Sequence, residues 1–293
     1  MKKLALAVLL SALAVPVSAQ KKPPVPAVNP EIAFIDSRVK FPEIKLANED
    51  LTGSFVVYRS QRQGYMPRYD LSPRGQNQVA VTSAGLAYLV TWSSTGSAVS
   101  LTTEPLTAPS GEANNISFSP DGSRIAISYL NTNMVRIFDT ENRTILAEWP
   151  ASGVAWMSYL GDGSRIAYYR YGDAKIYELD PATGDTSSHE FPHGDLQFLG
   201  GGHGSNALLL TYRTPGGRPE DLYFGRWENG TMTTVRIGQG WDAQYNCSET
   251  KIVFKATGSH ATTRVYNVTS NSTNQLTNNV DLRRFDYVPT CSQ

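Results

Sequence analysis

The chain has 293 residues, with 26 basic and 26 acidic side chains and no formal net charge. That balance excludes the overall basic footprint of a nucleic-acid-binding protein, although a basic patch can still sit inside a neutral total. After the first nineteen residues no run is long and apolar enough to cross a membrane as a helix.

Residues 1–19 read as a secretory signal. Lys2 and Lys3 form the charged head, residues 4–15 an apolar run of twelve, and Val17-Ser18-Ala19 a small-residue cleavage site. Cleavage would start the mature chain at Gln20 and leave 24 basic against 26 acidic groups. No Cys follows the cleavage site to carry a lipid. The short double-lysine head looks bacterial, so the expected location is the periplasm or the medium. Residues 20–30 follow as a tether. The stretch KKPPVPAVNP, residues 21–30, holds four prolines in ten residues and favours an extended, solvated chain.

From residue 31 to 293 the chain alternates short apolar runs with turn residues, the signature of an all-β domain. Strands are expected at residues 32–36, 43–47 and 55–59, with no inner strand before them. A second unit follows around Val79. The clearest unit is the third. In residues 116–129, ISFSPDGSRIAISY, Ile116 and Phe118 alternate before a turn, and Ile125 and Ile127 alternate after it. Period-two alternation places one face of each strand in a core. Pro120 presets a turn angle and Asp121-Gly122 tolerates positive φ, so the segment is a β-hairpin. Strands at 134–139 and 144–149 complete the unit, joined by the polar turn Thr140-Glu141-Asn142-Arg143. The fourth unit repeats the hairpin as LGDGSRIAYY, residues 160–169, and the turn as Asp180-Pro181-Ala182-Thr183-Gly184.

Aligned on the second strand, Ile32, Val79, Ile125, Ile166, Ala207 and Ile252 share one position, at spacings of 47, 46, 41, 41 and 45. A period just above forty with four strands per unit predicts propeller blades. Residues 285–288, followed by Pro289-Thr290-Cys291-Ser292, look like an inner strand with nothing after it. The two chain ends are therefore expected to complete one blade. The prediction is a six-bladed β-propeller closed by pairing of its N- and C-terminal strands, which removes open sheet edges.

FSPDGSRIAI and YLGDGSRIAY, with IYELDPATG after the second, resemble the WD-like β-propeller repeats of the TolB family. The resemblance extends across nearly all of residues 32–292. It is sharpest in units three and four, while LSPRGQNQVAV, FLGGGHGSNALLL and YNCSETKIVF keep the pattern without Asp-Gly. The family's α/β domain has no room between Gln20 and Ile32 and is not expected. The resemblance implies a periplasmic role in protein–protein contact, as TolB has with the peptidoglycan-associated lipoprotein.

Several residues invite chemical readings. Asp121 and Asp162 resemble acidic ligands, but each sits between two alternating strands and reads as a turn residue. His189-Glu190-Phe191-Pro192-His193 matches the zinc motif H-E-x-x-H, which needs a helix to bring both histidines to one face. Pro192 opposes a helix there, and the repeat places the segment on the outer strand of unit four and the linker out of it. His203 lies among four glycines, Gly200-Gly201-Gly202-His203-Gly204, at an inner turn. It is either a ligand contact near the channel mouth or a flexible turn that has lost its Asp. His260 falls in a loop. Cys247 and Cys291 follow inner strands of neighbouring units and form a disulfide candidate in an oxidising compartment. No G-x-S-x-G, P-loop or dinucleotide fingerprint occurs.

The sequence thus predicts an exported, monomeric, TolB-like propeller that binds another envelope protein or peptide, with no cofactor, metal, nucleic acid or catalytic residue. The alternatives are a channel-site lyase or hydrolase acting on polysaccharide, and a periplasmic sensor of glycans or small molecules.

Overall fold

A computed structural model describes residues 30–287, apart from 49, 74–75, 96–97, 107–110, 171, 174, 191–195, 202–206, 214–219, 229–230, 247, 257–261 and 278–281. Every regular element among the described residues is a strand. No helix among them is long and apolar enough to cross a membrane.

The first unit holds β1 (Ile32–Asp36), β2 (Glu43–Ala47) and β3 (Phe55–Arg59), at the predicted boundaries. The second holds β4 (Arg68–Leu71), β5 (Gln78–Ser83), β6 (Leu86–Thr95) and β7 (Ala98–Pro105). The third is β8 (Ala113–Phe118), β9 (Arg124–Tyr129), β10 (Met134–Asp139) and β11 (Ile145–Pro150). The fourth is β12 (Val154–Tyr159), β13 (Ile166–Arg170), β14 (Lys175–Leu179) and β15 (Thr186–Glu190). Then come β16 (Leu196–Gly201), β17 (Ala207–Arg213), β18 (Glu220–Glu228), β19 (Thr231–Tyr245), β20 (Lys251–Ala256), β21 (Thr262–Asn267), β22 (Ser272–Thr277) and β23 (Leu282–Tyr287).

Units two to four are four-stranded antiparallel meanders, as the repeat predicts. One expectation is corrected. The described strands form five hydrogen-bonded sheets, because β16 to β22 make a single seven-stranded sheet where two of four strands were predicted. The reason is β19. Its fifteen residues carry no Pro, Asn-Gly or Asp-Gly to force a turn, so the fourth strand of unit five runs directly into the first strand of unit six. The pairing nevertheless changes hands along it. The segment from Thr231 to Gln239 pairs with β18, and that from Gly240 to Tyr245 pairs with β20. Bulges between Leu222 and Tyr223 and between Trp241 and Gln244 flank the handover. Gly240 is required at that point, since a Cβ there would lie 2.3 Å from the Lys255 carbonyl oxygen.

The fifth sheet runs β23-β1-β2-β3. Residues Ile32 and Ala33 oppose Tyr287 and Asp286, and Ile35 and Asp36 oppose Arg283 and Leu282. Strand β23 also packs against β19 and β20.

The core is distributed between units. Among the described residues six apolar clusters each join two of them. One joins Ile44 and Leu46 of unit one to Tyr69 and Val81 of unit two. The next four link units two to three, three to four, four to five and five to six in turn. The last joins Ile32 and Phe34 of β1 to Val253 of β20, with Val265 and Leu276 beside them. Side-to-side packing of twisted sheets is how a propeller buries apolar surface that a single four-stranded sheet cannot.

Candidate functional site

The inner strands bond to one another through side chains. On β4, Asp70 accepts from the Phe118 backbone N–H of β8 at 2.7 Å. Farther round, Ser117 accepts from the Tyr159 N–H of β12 at 3.1 Å, and Asn115 donates to the Ala155 carbonyl at 3.0 Å. These bonds hold β4, β8 and β12 at fixed offsets from one another and satisfy backbone groups that face no sheet partner.

Above this layer lies a cavity of about 290 Å³. Units one, two, three, four and six contribute to it through Ile35, Arg68, Asn114, Trp156 and Asp242, with Tyr65, Met66 and Pro67 on the loop entering β4. It therefore sits where the inner strands converge. Arg68 reaches from unit two to unit four. Its guanidinium carbon lies 4.3 Å from the centre of the Trp156 ring, and its Nη1 donates to the Ala155 carbonyl at 2.9 Å. The stacking and the hydrogen bond together fix the cation at the wall. Thr82 donates to the Asn114 carbonyl at 2.9 Å, and Asn114 in turn donates to the Val154 carbonyl at 3.1 Å. Asp242 sits in the bulge of β19 with a positive φ of 52°. A bulge of this kind redirects a side chain out of the regular alternation, and here it brings a carboxylate to the cavity.

Among the described residues the lining holds a stacked cation, a carboxylate, an amide, a hydroxyl and two aromatic rings, with no His or Cys. It can grip a polar group and an apolar group side by side. Sequence reasoning did not single out these residues. The available signal was position, because Arg68, Asn114 and Trp156 fall at the starts of successive inner strands.

The sequence candidates fall elsewhere. Residues His203, His193, His260, Cys247 and Cys291 lie outside the described residues. His189 is on the outer strand β15, opposite Ile176, with its Nε2 3.9 Å from Glu178. The H-E-x-x-H match thus begins on an edge strand rather than a helix. Asp121 and Asp162 are turn residues. Asp121 accepts from the Ser123 N–H at 3.0 Å and from the Ser119 and Ser123 hydroxyls at 2.6 Å each. Asp162 accepts from the N–H and hydroxyl of Ser164 at 2.9 and 2.8 Å. Gly122 and Gly163 take positive φ of 67° and 72°, as the hairpins require.

No protein-family model matches the sequence, and no curated relative matches it. Solved structures match the fold. TolB from Acinetobacter baumannii superposes with a TM-score of 0.70 at 16% identity, over 90% of this chain and 68% of that one. A putative TolB from Agrobacterium tumefaciens gives 0.59 at 14% identity, over 90% of this chain and 100% of that one. A protein from Lactobacillus plantarum gives 0.54 at 14% identity, over 86% and 83%. The chain is, in fold, a TolB-like β-propeller.

Proposed function

We propose that this protein is an exported, non-catalytic binding module of the bacterial cell envelope that holds another protein or a peptide at the convergence of its inner strands. In this reading residues 1–19 are removed on export, residues 20–30 tether the domain, and residues 31–293 form one ring. In that ring the two halves of β19 pair with different strands of one seven-stranded sheet, and β23 completes the sheet of β1. The apolar cluster between β1 and β20 supports that closure.

The observation that carries the functional reading is the composition of the cavity. Tyr, Trp, Met and Arg are the side chains enriched where proteins meet, and Tyr65, Met66, Arg68 and Trp156 gather at this one opening. Fold likeness at such low identity supports the reading only by analogy.

Chemical cross-linking in envelope extract tests it. The protein should retain one specific envelope protein, and Trp156→Ala should release it while thermal unfolding stays cooperative. Capture that is unaffected by Trp156→Ala, or turnover of an acidic polysaccharide by the wild-type protein, would contradict the proposal.

A further inference from the structure

The loops beside the cavity carry an unbalanced charge. Backbone bonds hold two segments of unit one and its exit together: the Ser60 N–H donates to the Pro42 carbonyl at 2.8 Å, and the Gly64 N–H to the Lys40 carbonyl at 3.3 Å. Across residues 36–45 and 59–68 these segments bear Arg38, Lys40, Lys45, Arg59, Arg62 and Arg68, against only Asp36 and Glu43. Both carboxylates are buried and already engaged. Asp36 accepts from Arg38 and Lys45 at 2.6 and 2.8 Å, and Glu43 pairs with Arg59 and Lys45 at 2.6 and 3.3 Å.

Arg68 is held at the cavity wall, and the rest of the surplus is cationic and outward-facing. Lys40 and Arg62 are exposed, and neither has a carboxylate within ion-pair distance among the described residues. Arg38 and Arg59 keep 49% and 64% of their side chains exposed while paired. Val39 and Phe41 stand between the cations at 38% and 36% exposure. The same loop that carries Arg62 continues through Tyr65 and Met66 into the cavity.

We propose that this ribbon docks an acidic peptide segment of a partner protein, with carboxylates over Lys40 and Arg62 and an apolar side chain placed at Tyr65 and Met66. The inference rests on the protein-binding reading above and supplies the partner's chemistry. A chain of neutral net charge that concentrates unpaired cations on one face steers an anionic partner to that face. A polypeptide fits better than a lipid surface. Val39 and Phe41 are nearly two-thirds covered, so they offer a footing rather than a wedge, and the adjoining cavity has the dimensions of an anchor side chain rather than an acyl layer.

The test uses a short fluorescein-labelled peptide of glutamates flanking a leucine pair, its glutamine counterpart, and anionic phosphatidylglycerol vesicles. The glutamate peptide should bind more tightly than the glutamine one. Binding should weaken as salt rises from about 0.05 M to about 0.5 M. The double reversal Lys40→Glu with Arg62→Glu should weaken it by about tenfold or more, and Lys40→Gln with Arg62→Gln by an intermediate factor. Arg264→Glu, on β21 of another unit, should leave it unchanged. Equal binding of the two peptides, indifference to the reversal, or preference for vesicles would each overturn the proposal. Capture of an envelope protein that survives the reversal would overturn it too, while leaving the protein-binding reading in place.

Discussion

Asp36 shows how one residue ties stability to pH. Its carboxylate is buried at the end of β1, and the hydrogen bonds from Arg38, reinforced by Lys45, hold its pKa well below the usual carboxylate range in spite of burial. A folded-state pKa below the unfolded value contributes stability above about pH 4, and that stability is lost as pH falls through the folded value. Acid titration of thermal stability should therefore show a steeper low-pH loss in the wild type than in Asp36→Asn, and the two curves should converge at low pH. Gly184 is a second residue with a defined cost. It has a φ of 82°, and a Cβ there would lie 2.3 Å from the Trp149 ring, which reaches over from the preceding unit to donate to the Pro181 carbonyl at 3.0 Å. Gly184→Ala should cost about 2–4 kcal/mol in chemical denaturation, combining left-handed backbone strain with overpacking. The turn at Gly184 was legible in the sequence because Asp-x-x-x-Gly is a local signal. The ring above it was not, because its contact spans two units and leaves no local pattern.

At the scale of elements, the sequence was most informative where turns interrupt alternation. Units one, three and four were readable strand by strand. The outer turns of units three, four and six repeat one device: Asp139, Asp180 and Asn267 accept from the N–H groups two and three residues on, at 2.6 to 3.2 Å. Residues four positions later, Arg143, Gly184 and Asn271, take positive φ. A period near forty implies a break in every unit, whereas in β19 the seam at Gly238-Gln239-Gly240 stays extended. Replacing Gly240 by Ala should push β19 off the Lys255 carbonyl and lower the melting temperature, with β18 pairing kept and β20 pairing lost. Amide exchange that rises across β20 but not across β18 would check this. A uniform rise along both would mean that the strand does not divide its partners at that glycine.

At the scale of the whole molecule, each apolar cluster among the described residues is shared by two units, so the units should unfold together. The candidate site was invisible to sequence reading for the same reason. Arg68, Asn114, Trp156 and Asp242 are scattered over 175 residues and meet only when inner strands from separate units converge. The basic ribbon was equally hidden, since the chain total is zero and only the fold brings residues 36–45 next to 59–68. A disulfide between Cys247 and Cys291 would reinforce closure. Strands β19 and β23, which precede them by two and four residues, pack together. Intact mass should rise by about 2 Da on reduction, and the cross-link should add about 3–4 kcal/mol. The tail of the chain completes the sheet begun at Ile32. Site-resolved hydrogen exchange tests it most directly: amides of Leu282–Tyr287 and Ile32–Asp36 should share slow exchange and lose it together in rising denaturant. Rapid exchange of the tail beside a protected first strand would contradict the closed ring.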